Sequence, residues 1–348
     1  MKFIHIADVH LGAKPEKNMP WAKEREEHSW QAFSDVITRA KEEQVQLLLI
    51  AGNLFHRQPL IRELKEVNRQ FSRIPQTQVV LVAGNRDYLR QNSCYNTFRW
   101  GENVHFLKEE KIRSVELEGL GIRVYGLSYW RREIRERLYD KVLAAKDDFC
   151  NILLAHGGDE THIPFDTKEL ERQEFGYVAL GHIHKPMQLV EHKIVMAGAL
   201  QPVDCTETGE HGYFIGELKE GGCKVEFCPL HYCEYVSLSL KVSQDTTEEN
   251  LKKVLQGRIE QAKECQLFKV ILTGSCPLGA PIDTEELARM ERVVQVVDRC
   301  HPDYDFEKLK LRHQHQILGR YIEALEKMPQ TEITKKALYY GVEAMLAE

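Results

Sequence analysis

The segment Phe3-Ile4-His5-Ile6-Ala7-Asp8-Val9-His10 decides the reading: a short apolar run ends in a carboxylate and an imidazole. The pattern returns four times. Leu47-Leu48-Leu49-Ile50 leads to Gly52-Asn53, and Val79-Val80-Leu81-Val82 to Gly84-Asn85-Arg86-Asp87. Ile152-Leu153-Leu154 leads to His156-Gly157-Gly158, and Tyr177-Val178-Ala179-Leu180 to Gly181-His182-Ile183-His184. Such continuous runs fit strands buried on both faces, as in parallel sheets covered by helices. Between the first two runs Trp30, Phe33, Ile37 and Ala40 share one helical face, and between the second and third Leu60, Leu64, Val67 and Phe71 do. Strand alternating with helix is α/β architecture. In these sheets ligands bind beyond the carboxyl ends of the strands. Asp8, His10, Asn53, Asn85, His156, His182 and His184 are therefore expected in one site, where imidazole, carboxylate and amide oxygen suit Mn²⁺, Fe²⁺ or Zn²⁺ better than a dedicated Ca²⁺ or Mg²⁺ cage.

At about 150 residues per domain, 348 residues predict about two domains with a core that needs no staples. Apolar residues make up 43% and charged residues 29%, near the globular average, and no run approaches a membrane span. The amino terminus reads as a strand rather than an export signal, and nine scattered cysteines fit reduced thiols, so a cytoplasmic location is expected. Cys223, Cys228, His231 and Cys233 lack the paired spacing of a zinc site and are read as incidental. The formal charge of −6 excludes a globally basic nucleic-acid binder, so an anionic substrate needs a local device.

After Pro186 short strands follow, with Gly221-Gly222 as a hairpin turn. A new unit begins near Tyr235: Val236 to Val242 alternates like a strand, Thr246 to Lys263 reads as a helix and Phe268 to Leu272 as a strand. The loop Gly274-Ser275-Cys276-Pro277-Leu278-Gly279 then leads into charged, mainly helical sequence, and helices broken at Pro329 are expected from Asp305 to Glu348.

Asp8-Val9-His10-Leu11-Gly12, Asn53-Leu54-Phe55-His56, Gly84-Asn85-Arg86-Asp87, His156, Gly181-His182-Ile183-His184 and Gly198-Ala199-Leu200-Gln201-Pro202 together resemble the calcineurin-like metallophosphoesterases, specifically the SbcD/YhaO-type DNA exonuclease branch. The resemblance spans about residues 1 to 235. It implies a four-layer α-β-β-α metallophosphoesterase sandwich at 1–235, a small α/β capping domain at 236–304 and a helical C-terminal tail at 305–348 that docks on an SMC-like ATPase of the SbcC/YhaN type. It also implies DNA as substrate, homodimerisation, and two metal ions, Mn²⁺ with Mg²⁺, Fe²⁺ or Zn²⁺ as substitutes. Asp8, His10 and His184 would hold one ion, Asn85, His156 and His182 the other, with Asn53 at the bridge and His56 near the phosphate.

Two positions depart from the resemblance. Asn53 stands where the family bridges its ions with aspartate, leaving Asp8 as the only matched carboxylate, and an amide bridges two cations poorly. Arg86 stands where the family has histidine; a guanidinium cannot deliver a proton to a leaving oxygen but can clamp a phosphate bidentately. Reduced nuclease activity is the expectation, with a catalytically silent adaptor and a phosphoesterase on small nucleotides as alternatives. Arg131, Arg132 and Arg135 are the candidate DNA contacts, although Glu133, Glu136 and Asp140 interleave them like a solvated helix face. A second basic run, Lys308 to Arg320, reads the same way.

Overall fold

In a computed structural model, residues 1–276 and 282–347 are described. The Pro277-Leu278-Gly279 part of the expected loop lies outside them. The chain divides into two compact units, Met1–Tyr235 and Val236–Glu348.

The first unit opens with β1 (Lys2–Ile6), α1 (Ala22–Glu42), β2 (Leu47–Ala51), α2 (Ile61–Phe71), β3 (Gln78–Val82) and β4 (Val104–Phe106). These four strands are parallel neighbours in the order β1-β2-β3-β4. There follow β5 (Arg113–Leu117), β6 (Ile122–Gly126), β7 (Cys150–His156), α3 (Thr167–Arg172), β8 (Tyr177–Gly181), β9 (Met187–Val190) and β10 (Ile194–Met196). They form a second sheet, β5-β6-β7-β8-β10-β9, whose central pairs are parallel. The chain then returns to β1 as an antiparallel hairpin, β11 (His211–Lys219) and β12 (Gly222–Leu230), completing the first six-stranded sheet. Its turn is Glu220-Gly221, one residue earlier than expected, because Gly222 already pairs with Lys219.

Every residue of β2 is buried, and the period of two sorts them. Leu48 and Ile50 join Phe33, Val36 and Ile37 of α1 and Leu64, Val67 and Phe71 of α2 in one core. Leu47, Leu49 and Ala51 join Ile152, Leu154, Tyr177 and Ala179 of the second sheet in another. On the far side of that sheet Leu153 and Ala155 pack with Leu170 of α3. Helix, sheet, sheet and helix are therefore stacked with a core in each gap. Leu60 falls outside the helical stripe predicted for it: it is the exposed N-cap of α2.

The second unit holds a three-stranded sheet of β13 (Glu234–Val242), β14 (Gln266–Cys276) and β15 (Val293–Pro302), in that order. Leu251, Leu255 and Ile259 of α4 (Glu248–Glu260) and Leu287 of α5 (Thr284–Ala288) pack on Leu240, Val270 and Leu272 of the sheet. The helical expectation fails at β15. Val293, Val294, Val296 and Val297 are β-branched, and the segment pairs in parallel with β14. Helices α6 (Phe306–Arg312), α7 (Ile317–Glu326) and α8 (Glu332–Leu346) follow, with Pro329 between the last two. Leu318, Ile322, Leu338 and Val342 give them a small core. Among the described residues, no helix is long and apolar enough to cross a membrane.

Candidate metal centre

The strand-end residues of both sheets meet. Beyond β1 and β2 the chain stays paired, with the Asp8 N–H on Gly52 O and the His10 N–H on Asn53 O. Four site residues, Asp8, His10, Asn53 and His182, have positive φ (47°, 51°, 50° and 103°). Side-chain-bearing residues rarely adopt such angles, and tertiary structure must hold them there. Gly52 also has positive φ, at 85°, and a Cβ on it would lie 2.4 Å from His156 Nδ1.

Asp8, His10 and His184 form one cup. Their ligand atoms lie within 4.8 Å of one another, with His10 Nε2 3.0 Å from His184 Nε2 and Asp8 Oδ1 3.6 and 3.7 Å from those nitrogens. Two imidazole nitrogens this close need a proton or a cation between them. Burial opposes ionisation of Asp8, yet the fields of His156, His184 and His10 and the His182 N–H hold its carboxyl below the ordinary range. Burial likewise keeps His10 well below the usual imidazole value and so available as a neutral ligand. At His184 burial is outweighed by Glu207 and Asp8, which raise it; Glu207 Oε1 accepts from Nδ1 at 2.6 Å, leaving Nε2 to face the cup. These residues fit one divalent cation.

The neighbouring position is different. His156 donates Nδ1–H to Ala51 O at 2.8 Å, so its Nε2 faces Asn85 Oδ1 at 3.1 Å, and burial lowers its pKa to about 4. Asn53, the expected bridge, turns its NH₂ inward. Nδ2 donates to Asp8 Oδ1 at 2.9 Å and to Asn85 Oδ1 at 3.0 Å, while Oδ1 accepts the Arg86 backbone N–H at 2.9 Å. An amide nitrogen has no lone pair for a metal, so a bridged second ion does not fit these residues.

His56 lies beside His10, ring centroids 5.2 Å apart. Burial lowers its pKa, helped by Arg86, whose field also reaches His10 and His184, although the Arg86 side chain is exposed. Asp87 ties the Asn85-Arg86 turn to its surroundings, accepting from Gly84 N, Phe55 N and Tyr95 OH at 2.8, 3.1 and 2.9 Å. Burial pushes its carboxyl up to about 6.

The arginine segment is irregular chain rather than the expected helix face. Arg131 pairs with Glu136 and Arg135 with Glu133, whereas Arg132 is exposed and makes no ion pair among the described residues. Of the second basic run, Lys310 pairs with Glu307 and Glu326.

Three residues at the site carried no expectation. Glu207 comes from the loop before β11, where nothing in the local sequence marks it. Asp159 and His162 follow the Gly157-Gly158 turn, and a carboxylate and an imidazole three apart there were the missed signal. With His182 they make a second group whose ligand atoms lie within 4.8 Å. The Cys223-to-Cys233 set forms no such group among the described residues.

Residues 1–186 match the calcineurin-like phosphoesterase family. The chain is 28% identical over 315 residues to the uncharacterized metallophosphoesterase YhaO of Bacillus subtilis, covering 82% of this chain and 75% of that one. It is 25% identical over 353 residues to the DNA double-strand break repair protein Mre11 of Methanopyrus kandleri, covering 88% and 75%. To the Mre11 protein of Methanocaldococcus jannaschii it is 30% identical over 195 residues, covering 53% and 52%. With the stacked sheets and the strand-end cup, this match over more than half its length makes the chain a member of the calcineurin-like phosphoesterase family.

Proposed function

We propose that the chain is a metal-dependent phosphodiesterase acting on DNA, a nuclease subunit for end processing and repair, with turnover held down by Asn53 and Arg86. The observation that carries this is the Asp8, His10 and His184 cup, with two imidazole nitrogens 3.0 Å apart above a buried carboxylate. The Mre11 relatives, named for double-strand break repair, support DNA as the substrate. A bound divalent ion would supply Lewis acidity toward a phosphate oxygen and lower the pKa of a ligated water. The chain's own residues orient the reaction: His56 stands at the rim of the cup, Glu207 fixes the His184 tautomer, and Arg86 offers a guanidinium to the scissile phosphate in place of a proton donor. The unit after Tyr235 is assigned to capping, and its last helices to an SMC-like ATPase.

The test is hydrolysis of bis-p-nitrophenyl phosphate and of linear duplex DNA in Mn²⁺, comparing wild type with Asp8→Asn. Slow, Mn²⁺-dependent cutting of both, abolished by Asp8→Asn, is expected. Turnover on nucleotides without DNA cleavage overturns the substrate assignment. The inward NH₂ of Asn53 favours one other reading, a silent adaptor. Absent turnover in Mn²⁺ together with co-purification of an SMC-like ATPase selects it.

A further inference from the structure

We propose that this chain seats a second divalent cation on Asp159, His162 and His182 instead of at the bridged position beside Asn53. The proposal deepens the metal-dependent reading above and rests on it for the first cation only.

The Asn53 amide is locked by the Arg86 N–H on its Oδ1. Turning it over would set NH₂ against that N–H and remove the bonds to Asp8 and Asn85. The position beside His156 therefore offers neutral ligands and the positive end of an amide dipole. Asp159 supplies the missing charge. Its Oδ2 lies 2.7 Å from His182 Nε2 and 2.8 Å from His162 Nδ1, and the two rings are 4.4 Å apart. Oδ1 also lies 2.9 Å from His162 Nδ1, and the Thr161 N–H and hydroxyl donate to it at 2.8 and 3.0 Å, which steadies the carboxylate between the two imidazoles.

One carboxylate and two imidazoles repeat the donor set of Asp8, His10 and His184, so each cation has its own negative ligand. Three protein ligands leave coordination positions for water or a phosphate oxygen. The Asp159 side chain is 42% exposed, which leaves the group an open side. The two seats are coupled through His182, whose backbone N–H donates to Asp8 Oδ2 at 2.7 Å.

Equilibrium dialysis against Mn²⁺ with elemental analysis tests this on the full chain, with apo melting curves as the check on folding. His162→Gln is expected to lose one of the ions that wild type retains, or to bind it at least about tenfold more weakly. His156→Gln is expected to keep both. In Asn53→Asp the restored bridge should make retention independent of His162, so the double variant Asn53→Asp with His162→Gln holds both ions. Unchanged binding in His162→Gln, a wild type holding a single ion, or loss of an ion in His156→Gln alone overturns the proposal; the last would leave Asp159 merely orienting His182. Because the readout is occupancy, a chain that binds the second ion through His162 yet cuts no DNA sinks the nuclease reading and leaves this one standing.

Discussion

Asn53 shows how one atom decides a site. An aspartate there would bring two oxygens; the amide brings one, and the Arg86 backbone N–H takes it. Restoring Asn53→Asp with Arg86→His is expected to raise Mn²⁺-dependent turnover by at least about tenfold, measured on bis-p-nitrophenyl phosphate. Unaltered rates would mean that these residues are not the brake. Asp87 is the other single-residue determinant. Asp87→Ala strands Gly84 N, Phe55 N and Tyr95 OH without their acceptor, and a buried donor without a partner costs about 1–3 kcal/mol. Urea unfolding should therefore show a loss of at least about 2 kcal/mol.

Among the elements, the turns that close the strands carry the site. At Gly52 the left-handed backbone and the approach of His156 coincide. Gly52→Ala should cost roughly 1–3 kcal/mol in strain and displace the His156 ring, visible as a shifted imidazole resonance in the folded apo protein. In the irregular segment Arg132 makes no ion pair among the described residues, while Arg131 reaches DNA by leaving Glu136. Exposed pairs such as Arg131 with Glu136 are weak, about 0–1 kcal/mol, so phosphate can compete for them. Changing both arginines to Glu should lower duplex affinity and flatten its salt dependence by about one to two in slope. A slope equal to wild type removes this segment from the interface.

At the scale of the whole molecule, burying imidazoles between two sheets has a pH consequence. Burial lowers His5 to about 3 and His156 to about 4 and holds His10 well below the usual value. The unfolded chain protonates these groups near 6.5, while the folded chain does not. Their contribution to stability is complete above that pH and is lost as pH falls toward 4. Asp87, raised to about 6, and His184, also raised, act in the opposite sense but are outnumbered. The metal-free protein should lose several kcal/mol between pH 7.5 and 5, read as a lower urea midpoint at constant slope. A flat profile would mean that these rings are solvated.

The sequence alone determined the buried runs and the polar residues that cap them, because apolar continuity and strand-end glycines are local properties of the chain. The α/β class and the candidacy of Asp8, His10, His156, His182 and His184 came from these runs. Strand β15 was not legible: its valines lie among charged residues, and pairing with β14 rather than intrinsic pattern makes it a strand. Nor was Glu207, which acquires meaning only when its loop is delivered to His184 Nδ1, and although Asp159 and His162 stood in the sequence as a carboxylate and an imidazole after Gly157-Gly158, their meeting with His182 did not. Which end of the Asn53 amide faces the cup is likewise a tertiary fact. One backbone N–H, of Arg86 beyond the neighbouring strand β3, sets it, and hydrogen-bond direction is not written in residue type.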